Sequence, residues 1–211
     1  MSKTTRSAKA ASNAPRFFKL DLMGEANSDL CFLDKFVEGI GDEIWRPATG
    51  KPLAPVYPRD ARILMSKKKH HGIELTSFLA NSLNIFVGSK EFKEVIEAHC
   101  AKGTVEYLPF TLYDHRNRPY SDDYFIINPI GTFDCLDFKA SEIDWSESEP
   151  DRILDIEEHV LDRKKMKDAP QLFRVDRDAE TYIIGLELIR AMKKHEFSNI
   201  VVEELEFSDS R

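Results

Sequence analysis

Hydrophobic positions in this chain change rhythm several times, and each change marks an element. RFFKLDLM, from Arg16, alternates apolar and polar residues as a half-buried strand does. LCFLDKFV, from Leu30, reads as its neighbour across a turn at residues 24–29. Pro47, Pro52, Pro55 and Pro58 then break regular structure across residues 41–59. Trp45 is expected to tie that irregular segment to the body. LNIFVG predicts a short buried strand, and Ser89 a helix cap, with Glu91 in the first turn against the helix dipole. Phe92, Val95, Ile96 and Cys100 follow at helical spacing, and Gly103 fits the exit. TVEYLPFTLYD is β-branched and aromatic, so it predicts a strand, HRNRP a turn, and YSDDYFIINP the lead into the centre of the chain.

The central run from Tyr124 to Trp145, YFIINPIGTFDCLDFKASEIDW, reads as strand, Asn-Pro turn, strand and acidic loop. Near the C-terminus TYIIG is apolar and β-rich. LELIRAMKKHEF is helical, with Leu188, Ile189 and Met192 on one face, and NIVVEELEF is a strand again. This order matches IFVGSKEFKEVIEAHCAKGTVEYLPF, including the glycines and the positions of His99 and His195. Two strand-helix-strand units result, related by an internal repeat or built independently on a common plan. Strands outnumber helices, so the expected class is α+β with a mostly antiparallel or mixed sheet.

Residues 1–15 carry Ser, Ala, Lys and Thr with no acidic residue, and they lack the apolar surface to offset ordering entropy. They are expected to form a disordered tail, with a docking arm or targeting peptide as the alternative. Residues 16–211 form one α+β domain, or two lobes at 16–140 and 141–211. The 211 residues are 42% hydrophobic and carry a net charge of -7, which disfavours phosphate-backbone binding and suits a basic protein partner. No apolar run reaches membrane-span length and no signal-peptide core is present, so the chain is expected to be cytoplasmic, with no membrane or nucleic-acid partner.

Local chemistry is sparse. Cys31, Cys100 and Cys135 are widely spaced with no CxxC, as small core residues are. The six histidines form no HxH or HExxH, and His70 and His71 follow three lysines in what reads as a solvated basic turn. Asp134 and Asp137 lie on opposite faces of a strand, suiting turn capping or pairing with a base, for which Arg174 in QLFRVDR is one partner. No GxSxG, Walker A or GxGxxG occurs. No catalytic residue, cofactor or metal is expected, although a triad of dispersed residues would leave no local trace.

The strongest electrostatic signal is an acidic segment. Residues 142–162 hold nine acidic residues and one base, Arg152, whereas residues 1–71 carry 13 Lys/Arg against eight Asp/Glu. A solvated loop would look the same. As a docking face for a basic partner it offers Glu142, Asp144, Glu147, Glu149 and Asp151 around an aromatic anchor, Trp145. Glu203, Glu204, Glu206 and Asp209 could extend the negative field.

LNIFVGSKEFKEVIE, VEYLPFTLYD, YFIINPIGTFDCLD with Ser141 soon after, ILDIEEHVLD, QLFRV and the closing strand-helix-strand unit together resemble a family of immunity proteins from bacterial polymorphic-toxin loci, formerly a domain of unknown function. The resemblance covers roughly residues 73–207. It implies a protein that neutralises a toxin encoded by an adjacent gene, and it supplies no catalytic residue. Asn128, Pro129, Asp134, Asp137, Phe173 and Arg174 fall at family-like positions with structural roles. A dedicated cytoplasmic inhibitor of an intracellular enzyme such as a protease is the alternative, ahead of an enzyme with a cryptic site.

Overall fold

A computed structural model describes residues 15–68 and 71–208. The expected tail falls almost wholly outside these residues, as do His70 and Asp209. The first half contains β1 (Phe17–Asp21), β2 (Phe32–Leu33), β3 (Arg62–Leu64), β4 (Ala80–Asn81) and β5 (Phe86–Ser89). Helix α1 (Lys90–His99) follows, then β6 (Val105–Tyr113) and β7 (Pro119–Pro129). The second half contains β8 (Glu142–Trp145), β9 (Ile153–Glu158), β10 (Val160–Asp162), β11 (Leu172–Val175) and β12 (Asp178–Gly185). Helix α2 (Leu186–Lys194), β13 (Val201–Glu204) and β14 (Glu206–Ser208) close the described chain. The class is α+β.

Two four-stranded sheets dominate, in the orders β3-β6-β7-β5 and β11-β12-β1-β13. In the first, β7 lies antiparallel between β5 and β6, so the strands flanking α1 run parallel with one strand between them. In the second, β1 lies antiparallel between β12 and β13, which flank α2 in the same way. The two strand-helix-strand units expected from sequence therefore share one split arrangement. Their helices pack on each other. One core cluster joins Phe92 and Ile96 of α1, Leu188 and Met192 of α2, and inward residues of both sheets such as Phe86, Ile127, Tyr182 and Ile184.

The helix caps differ in source. Ser89 Oγ accepts from the Phe92 amide at 3.2 Å, as its position before an acidic first turn predicts. Gly185 begins α2 without a side chain to offer, and Gln171 Oε1 accepts from the Leu188 amide at 3.3 Å instead. A Cβ at residue 185 would stand 2.4 Å from that same oxygen, so the glycine makes room for a borrowed cap.

Three local expectations are corrected. β1 does not pair with the LCFLDKFV segment. Only Phe32–Leu33 is strand there, parallel to β4, because β1 is taken on both sides by β12 and β13. Asn128 and Pro129 do not make a turn; they end β7, and the chain bends after them at Gly131, with φ +77°. Trp45 is 43% exposed and does not tie down the proline-rich segment. Leu53, fully buried, does so, together with the Leu53 and Ala54 amides that donate to the Glu106 carboxylate.

The β6–β7 turn gives a pH prediction. Asp114 accepts from the Arg116 and Arg118 amides and from the Arg118 guanidinium at 2.7 Å. The Arg118 amide, then its side chain, holds the carboxyl down at about 2. A depressed carboxyl stabilises the fold above its unfolded pKa, near 3.9, and that contribution disappears as pH falls toward the folded value. Asp114→Asn is expected to be less stable than the parent at pH 6, with the gap closing between about pH 4 and about pH 2. Urea unfolding at each pH checks this; a gap independent of pH contradicts it.

Candidate partner-binding face

Three of the family-like residues, Asn128, Pro129 and Arg174, build a buried polar junction between the two sheets. Arg174 on β11 is fully buried. Its Nε donates to Pro129 O at 3.2 Å, Nη1 to Ala179 O at 2.6 Å, and Nη2 to Asn128 Oδ1 at 3.1 Å and Tyr182 Oη at 2.5 Å. The guanidinium also lies 4.1 Å from the centre of the Tyr182 ring. Asn128 Nδ2 passes the network on to Lys51 O and to Glu106. Burial pulls the Arg174 pKa down and pushes the Tyr182 pKa up, each against the other's favourable contact. This junction fastens the end of β7 and the proline-rich segment to β11 and β12, and it is sealed from solvent.

Asp134 and Asp137 do not meet Arg174. Asp134 pairs with Lys165 Nζ at 2.7 Å on the surface. Asp137 caps a turn, accepting from the Lys139 and Ala140 amides. Bonding from Ser208, then from those amides, holds its carboxyl below the ordinary range. Residues 132–137 form no strand, only isolated bridges at Phe133 and Leu136, which is why the opposite-face argument does not apply. Phe173 is buried against Phe17 and Phe133. Ser141 Oγ accepts from the Val160 amide and donates back to Val160 O, tying its loop to β10.

Other reactive groups are quiet. Burial pushes the Cys31 and Cys135 thiols up to about 12 and Cys100 to about 11, far from the thiolate needed for attack. Ser66 lies 2.7 Å from His71 Nδ1, a juxtaposition the sequence did not suggest. Its hydroxyl donates to Asp34 at 2.8 Å, so the histidine is on the donor side and takes no proton from it. Among the described residues no group of three or more His, Cys, Asp or Glu is placed to hold a metal ion. No helix among them is long and apolar enough to cross a membrane.

The acidic segment folds as a hairpin of β8 and β9, not as an open loop. Ile143 and Trp145 face inward, and Trp145 is half-buried beside Phe138 with the Arg177 guanidinium 5.5 Å from its ring. Glu142, Asp144, Glu147, Glu149 and Asp151 are exposed. Register places Glu142 opposite Glu158 and Asp144 opposite Asp155. Like charges directly opposite on a sheet are destabilising, so this hairpin holds electrostatic tension that a cation would relieve. At the tip Arg152 bonds Glu149 at 3.0 Å, and the Arg177 guanidinium donates to Asp151 O.

Of the C-terminal acids, Asp209 lies outside the described residues. Glu203, Glu204 and Glu206 share a crevice with Glu157 and Glu158. Arg16 neutralises Glu204 through a forked ion pair, leaving Glu203 and Glu206 to add to the field. Next to it a larger cleft, about 670 Å³, is lined by residues of β1, β12, β13 and β9 together with Asn81, Ser82 and Asn84. His159 is buried in its wall, with Nε2 2.9 Å from Asp178 Oδ2 and Nδ1 3.5 Å from Lys19 Nζ. An ammonium can only donate, so Nδ1 accepts and Nε2–H donates to Asp178. Burial works to raise the Asp178 carboxyl, but the His159 and Thr181 bonds and the Lys19 charge hold it below the ordinary range. The sequence carried a trace of this cleft: in FFKLD, Lys19 and Asp21 alternate with the buried Phe18 and Leu20.

The chain thus pairs a sealed polar junction with an exposed acidic hairpin on an α+β fold. The model of the Immunity protein family (Imm11) matches residues 39–206, most of the chain, and the chain belongs to that family. The match starts well before Ile73 and takes in the proline-rich segment, whose amides meet Glu106 in the junction. No curated protein matches the chain.

Proposed function

We propose that this chain neutralises a cognate toxin, encoded by an adjacent gene, by binding it in stoichiometric amount in the cytoplasm of the producing cell. Membership of the immunity family carries the reading. The charge distribution supports a toxin with a basic surface, such as the cationic groove of a nuclease. The exposed acids of the β8–β9 hairpin, Glu142, Asp144, Glu147, Glu149 and Asp151, draw the partner in, and Trp145 gives them an apolar base. Capture needs no turnover by the chain itself, no cofactor and no metal. Co-expression with an inactivated product of the adjacent gene tests the reading. The two are expected to co-purify, and the complex is expected to weaken as salt rises. Failure of the pair to associate at low salt would overturn it.

A further inference from the structure

The sheet β11-β12-β1-β13 has one face only half covered. At one end Phe17, Phe173 and Ile183 pack into a core cluster with Cys135, Ile156 and Leu161. In the row of Ile183, β1 and β13 bring Lys19 opposite Glu203. In the next row Asp21 stands opposite Val201. These rows border the open cleft, whose lining also includes Asp155, Ile156 and His159 on one part and Asn81, Ser82 and Asn84 on another.

The charges there are one-sided. Asp21, Asp155, Asp178, Glu180 and Glu203 line the cleft, and Lys19 is the one lysine or arginine among the described lining residues. Asp178 is satisfied by His159 and Glu180 by Asn84 at 2.6 Å. Among the described residues Asp21 Oδ1 accepts from the Met23 amide of its own turn, at 2.8 Å. Asp155 faces another carboxylate, Asp144, across the hairpin. Met23, 55% exposed, stands at the rim, so an apolar contact adjoins the acids. The volume exceeds what a single side chain fills, so the cleft admits a segment of chain.

We propose that this cleft is the seat of a basic segment of the toxin, which places a lysine or arginine between Asp155, Asp21 and Glu203. The inference rests on the immunity reading and deepens it. The hairpin tip attracts the partner, whereas the cleft, being concave and partly apolar, retains it. The two regions then differ in kinetics: exposed rim charges govern association, and desolvated charge pairs govern release.

The test uses the full chain and the inactivated product of the adjacent toxin gene, with association and dissociation read separately on a biosensor. Asp155→Lys with Glu203→Lys is expected to speed dissociation by about 100-fold. The uncharged pair Asp155→Asn with Glu203→Gln, which preserves shape, is expected to speed it by about 10-fold. Reversal of Glu147, Glu149 and Asp151 to lysine is expected to slow association and leave dissociation within about threefold. Thermal melts confirm that each variant is folded, and the uncharged pair decides the matter if the reversed pair is not. Parental dissociation rates in the folded cleft variants, with the parent chain still binding, overturn the cleft alone. A parent chain that does not bind overturns the functional reading and the cleft with it.

Discussion

Arg174→Ala is expected to lose about 3–5 kcal/mol of folding stability, the largest effect of any single substitution at the family-like positions. The guanidinium serves Pro129 O, Ala179 O, Asn128 Oδ1 and Tyr182 Oη, all in the sealed junction. Truncation leaves these groups short of a donor, at about 1–3 kcal/mol for each buried one that water cannot reach. It also leaves a cavity between the sheets. Arg174→Lys keeps the charge but cannot reproduce the fork, so it is expected to fall between the parent and the alanine variant. Urea unfolding measures both. A loss below about 1 kcal/mol for alanine would mean that water or a neighbour replaces the guanidinium.

Gly50→Ala is expected to cost about 2–4 kcal/mol, through the same junction. Gly50 has φ +68°, where any other residue is strained by about 1–2 kcal/mol. A Cβ there would lie 2.7 Å from Gly131 O and 3.1 Å from Arg174 Cδ. The neighbour is backbone, already held by the Gly131 amide donating to Gly50 O at 2.8 Å, so it yields only by breaking that bond. Because the methyl presses on Arg174, the two losses are not independent. The double variant Gly50→Ala, Arg174→Ala is expected to lose less than the sum of the two, and strict additivity in the same unfolding measurement would contradict the contact.

Much of the fold was legible because local signals agreed with tertiary ones. The Ser89 cap and the buried set Phe92, Val95, Ile96 follow from one periodicity, and Leu188, Ile189, Met192 from another. The matched order of the two strand-helix-strand units was visible as well. Invisible was the strand inserted between the outer strands of each, β7 in one and β1 in the other, since sheet order is fixed by packing at long sequence separation. The same limit explains the pairing wrongly given to β1. It pairs with strands more than 160 residues away, while turn chemistry at residues 24–29 suggested a nearby partner.

The polar residues divide likewise. Asn128 and Arg174 were read as structural, yet their shared hydrogen bond crosses 46 positions and no spacing rule reaches it. Asp134 and Asp137 were placed on a strand that does not form, because the apolar run around them buries Cys135 and Leu136 through irregular chain. The acidic run was plain in composition. Its hairpin register, with Glu142 facing Glu158 and Asp144 facing Asp155, was not, and neither was the cleft that draws residues from β1, β9, β12 and β13.

We propose that protection comes from capture and not from chemistry performed by this chain, and a titration of active toxin with increasing amounts of the purified chain separates the two. Residual toxin activity is expected to fall in a straight line to zero at one equivalent, at once and without further change on standing. Complete inactivation by a small fraction of an equivalent, deepening with time, would contradict it.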